Sequence, residues 1–225
     1  MNTRLTDEQI EAKRVPLPTP PMVQTPWGPA HYGTKYADDV WFYSTAGHGG
    51  FMIGEKVHKT WNEALQSYYP FAGPTSRCFE EDCDWAIVAL AMPDLFTARD
   101  IAFAVNTARM MVKMQHGRNE ESITRFFNSD EGQRVQAFAD AWRQQMADDG
   151  YYHKGSGYTE TIDGVHGWVQ VYRPYNTALE TLIAWAPTDF AGRLEIIGDA
   201  TRIELENYYG RENVGKELVR ELLRA

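Results

Sequence analysis

Two short stretches hold most of the side chains able to do chemistry. The first is STAGHGG, Ser44–Gly50, in which His48 is set among glycines. Histidine is the side chain best suited to proton transfer near neutral pH. Glycines let the backbone turn tightly and let another group come close. The second is EEDCD, Glu80–Asp84, with four carboxylates and a thiol in five residues, followed at once by the apolar run Trp85–Ala91. Like charges this close need water, a cation or a basic partner, and any carboxylate turned inward needs a donor such as His or Arg. His48 paired with one of these carboxylates can be a general base with its orienter, or a structural bond that locks two strands. The candidate catalytic residues are therefore His48, Glu81, Cys83 and Asp84. Glu80, Asp82 and Trp27 are candidate binding residues.

Cys83 can act as a nucleophile with His48 as its base, but the neighbouring carboxylates raise the thiol pKa and oppose the thiolate. A divalent ion held by His48 and two or three of the carboxylates is chemically reasonable. No recognised ligand spacing supports it: Cys78 and Cys83 are separated by four residues, with no second Cys pair or His-x3-His to follow. Neither a metal nor any other cofactor is expected, and both cysteines are expected as free thiols. The glycines of HKGSGYTE, residues 153–160, lack the G-x-x-x-x-G-K pattern of a phosphate loop. With no nucleophile or metal set to complete a mechanism, the His48 imidazole is expected to satisfy a buried carboxylate or carbonyl.

The elements that must position these residues are mixed. Residues 1–29 read as an arm: TDEQIEAKR suits a short helix, and VPLPTPPMVQTPWGP carries six prolines in fifteen residues, which favours an extended surface segment. Val40–Thr45 and Phe51–Ile53 read as strands on either side of a Gly47–Gly50 turn. Glu55–Tyr68 suits a helix. Trp85–Ala91, apolar throughout and bounded by charge and Pro93, suits a buried strand. Thr97-x-x-Asp100 opens a helix as a capping box, and a second helix spans Asp130–Asp148, stopped by Gly150. Asp163-Gly164 between two β-like runs signals a hairpin. A helix is expected near Leu179–Trp185, a short strand in RLEIIGDA, and a last helix in NVGKELVRELLRA. Strands and helices mixed without a β-α-β rhythm favour an α+β fold: a mixed or antiparallel sheet with helices packed on it. One domain is expected over residues 30–225, with a sub-boundary allowed near 150.

Totals exclude some roles. The 225 residues carry a formal net charge of −9, which argues against direct non-specific binding to nucleic acid. No apolar run reaches the length needed to span a bilayer, and MNTRLTDEQIEAKR has no apolar signal region. A cytoplasmic protein that does not engage the membrane is expected.

TPWGPA, VWFYSTAGHGGFMI and CFEEDCDWAIVALAMPDLF, taken in that order, resemble a known family over residues 25–96. It is a domain of unknown function carried on bacterial phage and plasmid sequences, with W-G-P, S-T-x-x-H-G-G and E-E-D-C-[DE]-W segments. The resemblance implies that these segments form a paired core motif, and it brings no activity with it. It also implies a mobile-element accessory protein acting in counter-defence, one that binds a host protein with a basic surface through its own acidic face. The competing expectation is a hydrolase or nuclease-like enzyme centred on His48 and the Glu80–Asp84 carboxylates.

Overall fold

The computed structural model describes residues 4–17, 23–73, 76–114, 119–162, 165–176, 182–187 and 200–201. The expectations for the prolines at 18–22, the hairpin turn at 163–164, most of RLEIIGDA and the C-terminal helix lie outside these residues. The chain divides into two compact units, Met1–Trp142 and Arg143–Ala225. The architecture is α+β, as the mixed pattern implies.

In the first unit, helix α1 (Asp7–Ala12) begins in a capping box: Thr6 accepts from the Gln9 N–H, and the Gln9 side chain accepts from the Thr6 N–H. The strands follow as β1 (Val15–Pro16), β2 (Gln24–Thr25), β3 (Gly28–Pro29), β4 (Tyr32–Ala37), β5 (Val40–Ser44), β6 (Gly49–Ile53) and β7 (Cys78–Glu80). Five of them form an antiparallel sheet in the order β1-β4-β5-β6-β7, while β2 pairs with β3. The register brings Phe42, Phe51 and Phe79 side by side across three strands. Residues opposite one another share a face, so this row gives the sheet its inner surface. The next row, Tyr43, Gly50 and Glu80, belongs to the other face because side chains alternate.

Short helices α2 (Glu55–His58) and α3 (Glu63–Gln66) fill the link from β6 to β7, where a single helix over Glu55–Tyr68 is expected from the sequence. Asn62 interrupts it, accepting from the Ala64 N–H through its side chain to cap α3. The expected strand at Trp85–Ala91 is instead a helix, α4. An all-apolar run of seven has no period, so pattern alone cannot separate a buried strand from a buried helix. Three of the seven residues are alanine, the strongest helix former, and Ala86 to Leu90 are fully buried against β7, β6 and α5 (Ala98–Met114). The capping box of α5 is present: the Thr97 hydroxyl accepts from Asp100 N at 3.1 Å, and the Asp100 carboxylate from Thr97 N at 3.2 Å.

Helix α6 (Glu120–Asn128) is absent from the sequence expectation, yet it buries Ile123, Phe126 and Phe127. Helix α7 (Asp130–Asp148) has the expected bounds. Ser129 stands at the corner between them, donating to the Phe126 carbonyl at 2.7 Å and accepting from Gly132 N at 3.2 Å. The core runs from Val40, Phe51 and Phe79 through α4 to Ile101, Val105, Ile123, Phe126 and Val135.

The first residues of the chain are tied down at the start of α5. Asp7 accepts from Ala98 N at 2.9 Å, Arg4 donates to the carbonyls of Pro93 and Phe96, and Arg14 pairs with Asp100 at 2.9 Å. No described helix is long and apolar enough to cross a membrane.

The second unit holds a four-stranded antiparallel sheet in the order β10-β9-β8-β11, made of β8 (Tyr151–Ile162), β9 (Val165–Pro174), β10 (Leu182–Pro187) and β11 (Ala200–Thr201). Ile162 lies opposite Val165 at the end of the β8–β9 ladder. The helix expected near Leu179–Trp185 is contradicted: Leu182–Pro187 pairs along β9 from Tyr172 to Gly167. The run LIAWAP is apolar throughout and, like α4, carries no period of its own. Here the partner strand decides.

The α6–α7 corner supplies a test in which helix propensity and packing have opposite signs. Gly132→Ala should gain up to about 1 kcal/mol from propensity. Its Cβ, however, would collide with the Phe126 carbonyl oxygen. We expect a net loss of about 1–3 kcal/mol, read as a fall in the midpoint of thermal unfolding.

Candidate functional site

Three short segments converge beside β6. In the first, Trp27 is carried on the turn between β2 and β3. The Thr25 hydroxyl accepts from Trp27 N at 3.2 Å and donates to the Gly28 carbonyl at 2.7 Å, and Gly28 takes a φ of +118°, which glycine tolerates. The turn lays the indole against Gly50, where a Cβ would strike both the Trp27 ring and the Phe79 carbonyl.

The second segment is the turn between β5 and β6. Thr45 fixes it, donating through its hydroxyl to the His48 carbonyl at 2.7 Å and accepting from His48 N at 3.1 Å. Its backbone N–H donates to the same carbonyl at 2.7 Å. The backbone of His48 is therefore held while its ring is free to act. Gly49 is needed for room, because a Cβ there would collide with the Glu81 carboxylate.

The third segment is the acidic turn between β7 and α4. Its carboxylates have separate tasks. One oxygen of Glu80, Oε2, accepts from Asp82 N at 2.9 Å and Cys83 N at 3.3 Å, which folds the turn. Asp84 is 3% exposed and turns inward. Its oxygens accept from the Tyr68 hydroxyl at 2.5 Å and from Phe71 N at 2.7 Å. Asp82 stays exposed.

Besides the exposed Asp82, three groups remain, and these lie together: the His48 ring, the other Glu80 oxygen, and Glu81. Nδ1 of His48 stands 4.0 Å from Glu80 Oε1 and 3.9 Å from Glu81 Oε1. These distances are too long for hydrogen bonds and leave a gap between the groups. The side chain of His48 is 61% exposed, that of Glu81 33% and that of Glu80 13%. Among the described residues, neither glutamate has a lysine or arginine partner. Burial pushes the Glu80 carboxyl above its ordinary range; the two backbone N–H groups oppose this, and the charges of Asp82 and Asp84 add to it. The same surroundings, burial first and then Glu80, Asp84 and Asp82, raise the Cys83 thiol. That is the reverse of what a thiolate nucleophile requires. Cys78 and Cys83 are both free thiols.

Of the sequence candidates, His48, Glu80 and Glu81 therefore come together. Asp84 is turned away into the core, and Trp27 supports the turn from the Gly50 side. The expectation that His48 satisfies a buried partner does not hold, since the buried carboxylate belongs to Asp84. Its donor Tyr68 lies in YYPFAGPTSR, which reads from sequence as a plain loop. A tyrosine beside core aromatics was the available signal, because a buried phenol needs a hydrogen-bond partner.

Next to Glu81 opens a cleft of about 310 Å³, walled by Tyr36, Phe42, Phe51, Trp85 and Phe96. Arg14 and Asp100 close one side, and the Arg14 guanidinium lies 4.8 Å over the Tyr36 ring. Sequence reading missed this cleft, because its walls come from separate parts of the chain and only Glu81 and Trp85 fall in the acidic motif.

The fold and the clustered site describe an α+β domain with an open His–carboxylate centre. The chain belongs to the family described as "Domain of unknown function (DUF7007)", which matches residues 20–147. Comparison with curated proteins and with solved structures gives no match.

The division of labour within the acidic turn is testable by unfolding. Asp84→Ala leaves the Tyr68 hydroxyl and Phe71 N–H without their acceptor and should cost about 1–3 kcal/mol for each. His48→Ala removes an exposed ring and should stay within about 0.5 kcal/mol of the parent. Denaturant midpoints of the two variants check both.

Proposed function

We propose that the chain is a hydrolase whose centre is His48 with Glu81 and Glu80. The observation that carries this reading is that these groups face one another and solvent, while Asp84 and the other Glu80 oxygen are taken up in holding the turn. An exposed imidazole beside two carboxylates adds little to stability, which leaves it available for chemistry. In this reading His48 takes a proton from water and Glu81 orients and stabilises the imidazolium that results. Water is the nucleophile, because the Cys83 thiol is suppressed by its surroundings. The aromatic cleft beside Glu81 gives the substrate a surface on which to rest its apolar or planar part, with the scissile bond reaching toward His48.

A second reading rests on the net charge of −9. An acidic protein can occupy the basic groove of a host enzyme, which fits the phage or plasmid counter-defence role that the sequence resemblance implies. On this reading His48 and Glu81 are dispensable.

The two readings separate in one comparison. Parent, His48→Ala and Glu81→Gln proteins are assayed against phosphodiester, ester and single- and double-stranded nucleic-acid substrates, with thermal unfolding recorded in parallel. The hydrolase reading expects activity to fall about 10²–10⁴-fold in His48→Ala and clearly in Glu81→Gln, at unchanged unfolding midpoints. Equal activity in all three overturns it. Capture of a basic partner from host lysate, undiminished in both variants, favours the binding reading.

A further inference from the structure

We infer that His48, Glu80 and Glu81 form a binding site for a single divalent first-row cation, with Mn²⁺ and Zn²⁺ the best-matched ions. The inference deepens the hydrolase reading and rests on it for its catalytic meaning, though the ion site is measurable without any substrate.

The geometry is that of a ligand set with room at its centre. One donor atom from each residue lies within 4.8 Å of the other two. Three atoms so spaced leave a point no more than about 2.8 Å from each (4.8 Å/√3), and the ~2.0–2.2 Å of nitrogen and oxygen ligands requires small rotations of both the exposed His48 ring and the Glu81 carboxylate. A hydrogen-bonded pair would have closed to 2.7–3.2 Å; the observed 3.9 and 4.0 Å are wider than that.

The donor types agree. One imidazole with two carboxylates is a mixed nitrogen and oxygen set, intermediate between the all-oxygen shells of Mg²⁺ and Ca²⁺ and the sulfur-rich shells of structural zinc. Glu80 is also prepared for a ligand role. Its Oε2 is fixed by Asp82 N and Cys83 N, which leaves Oε1 directed at His48. Such backbone support orients a ligating carboxylate. The charges agree as well: two glutamates and two nearby aspartates crowd one turn, and among the described residues no lysine or arginine pairs with either glutamate. Three ligands from two turns and a strand end, two of them at least partly exposed, leave the outer side open, so a bound ion would keep positions for water. An ion there would lower the pKa of its water, so that His48 and Glu81 would serve the hydrolase as ligands and the ion, in place of His48, would activate the nucleophilic water.

The test uses the full chain, stripped with chelator and dialysed, and titrated with MnCl₂ or ZnCl₂ alone. Calorimetry should give one saturable site. Mn²⁺ should broaden one of the six histidine ring signals most strongly, and that signal should be missing in His48→Ala. His48→Ala and Glu81→Gln should each weaken binding at least about tenfold. Both residues are at least one-third exposed, so these variants keep the fold, whereas truncating Glu80 would also release the turn. Failure of the cation to bind, or binding in both variants as tight as in the parent, overturns the inference. The hydrolase reading is judged separately. A bound ion without hydrolysis sustains the site and removes the enzyme, while hydrolysis that persists without any bound ion removes the site and leaves His48 as the base.

Discussion

The buried carboxylate of Asp84 is the interaction on which the rest of the site depends. A charge taken out of water is costly unless it is hydrogen-bonded. Here the Tyr68 hydroxyl and the Phe71 N–H satisfy it. That bond joins the end of the α3 loop to the start of α4, and so fixes where the acidic turn lies. Because Asp84 holds the turn from inside and one oxygen of Glu80 folds it, the other Glu80 oxygen and Glu81 do not have to. That oxygen and the whole of Glu81 are released toward the opposite strand. Crowded negative charge is thus divided between anchoring and presentation. The dipole of α4 adds to this, since negative charge is favoured near a helix N-terminus.

The β6 strand completes the arrangement from the other side. Gly49 and Gly50 each lack a side chain where one could not fit: the first lies under Glu81, the second under Trp27 and the Phe79 carbonyl. The three motif segments are therefore complementary parts of one contact. Thr25 and Thr45 use the same device in their turns, a hydroxyl that accepts from one backbone group and donates to another. Each fixes a local backbone without calling on the hydrophobic core.

Much of this was legible in the sequence where a local rule applied. The α5 capping box, the bounds of α7 and the two strands around the His48 turn all follow from patterns within a few residues. Trp85–Ala91 and Leu182–Pro187 were not legible. Both are short apolar runs without period, and what surrounds them selects helix for one and strand for the other. The meeting of His48 with the acidic turn could be expected from two polar clusters beside apolar runs. Its character could not. Whether an imidazole is sealed in or open to water depends on which carboxylate turns inward, and that was decided by Tyr68, a residue in no motif. The aromatic cleft was hidden for a related reason, since its walls gather from distant parts of the chain.

The attachment of the first residues bears on where this domain begins as a physical object. The family match starts at residue 20, yet Arg4, Asp7 and Arg14 bond to Pro93, Phe96, Ala98 and Asp100, and Ile10 is 2% exposed. A fragment trimmed to the family limits would lose these bonds, uncover the N-terminal end of α5 and remove Arg14 from the wall of the cleft. The unit that recurs as sequence is therefore smaller than the unit that folds, and the difference is a segment that helps to shape the cleft.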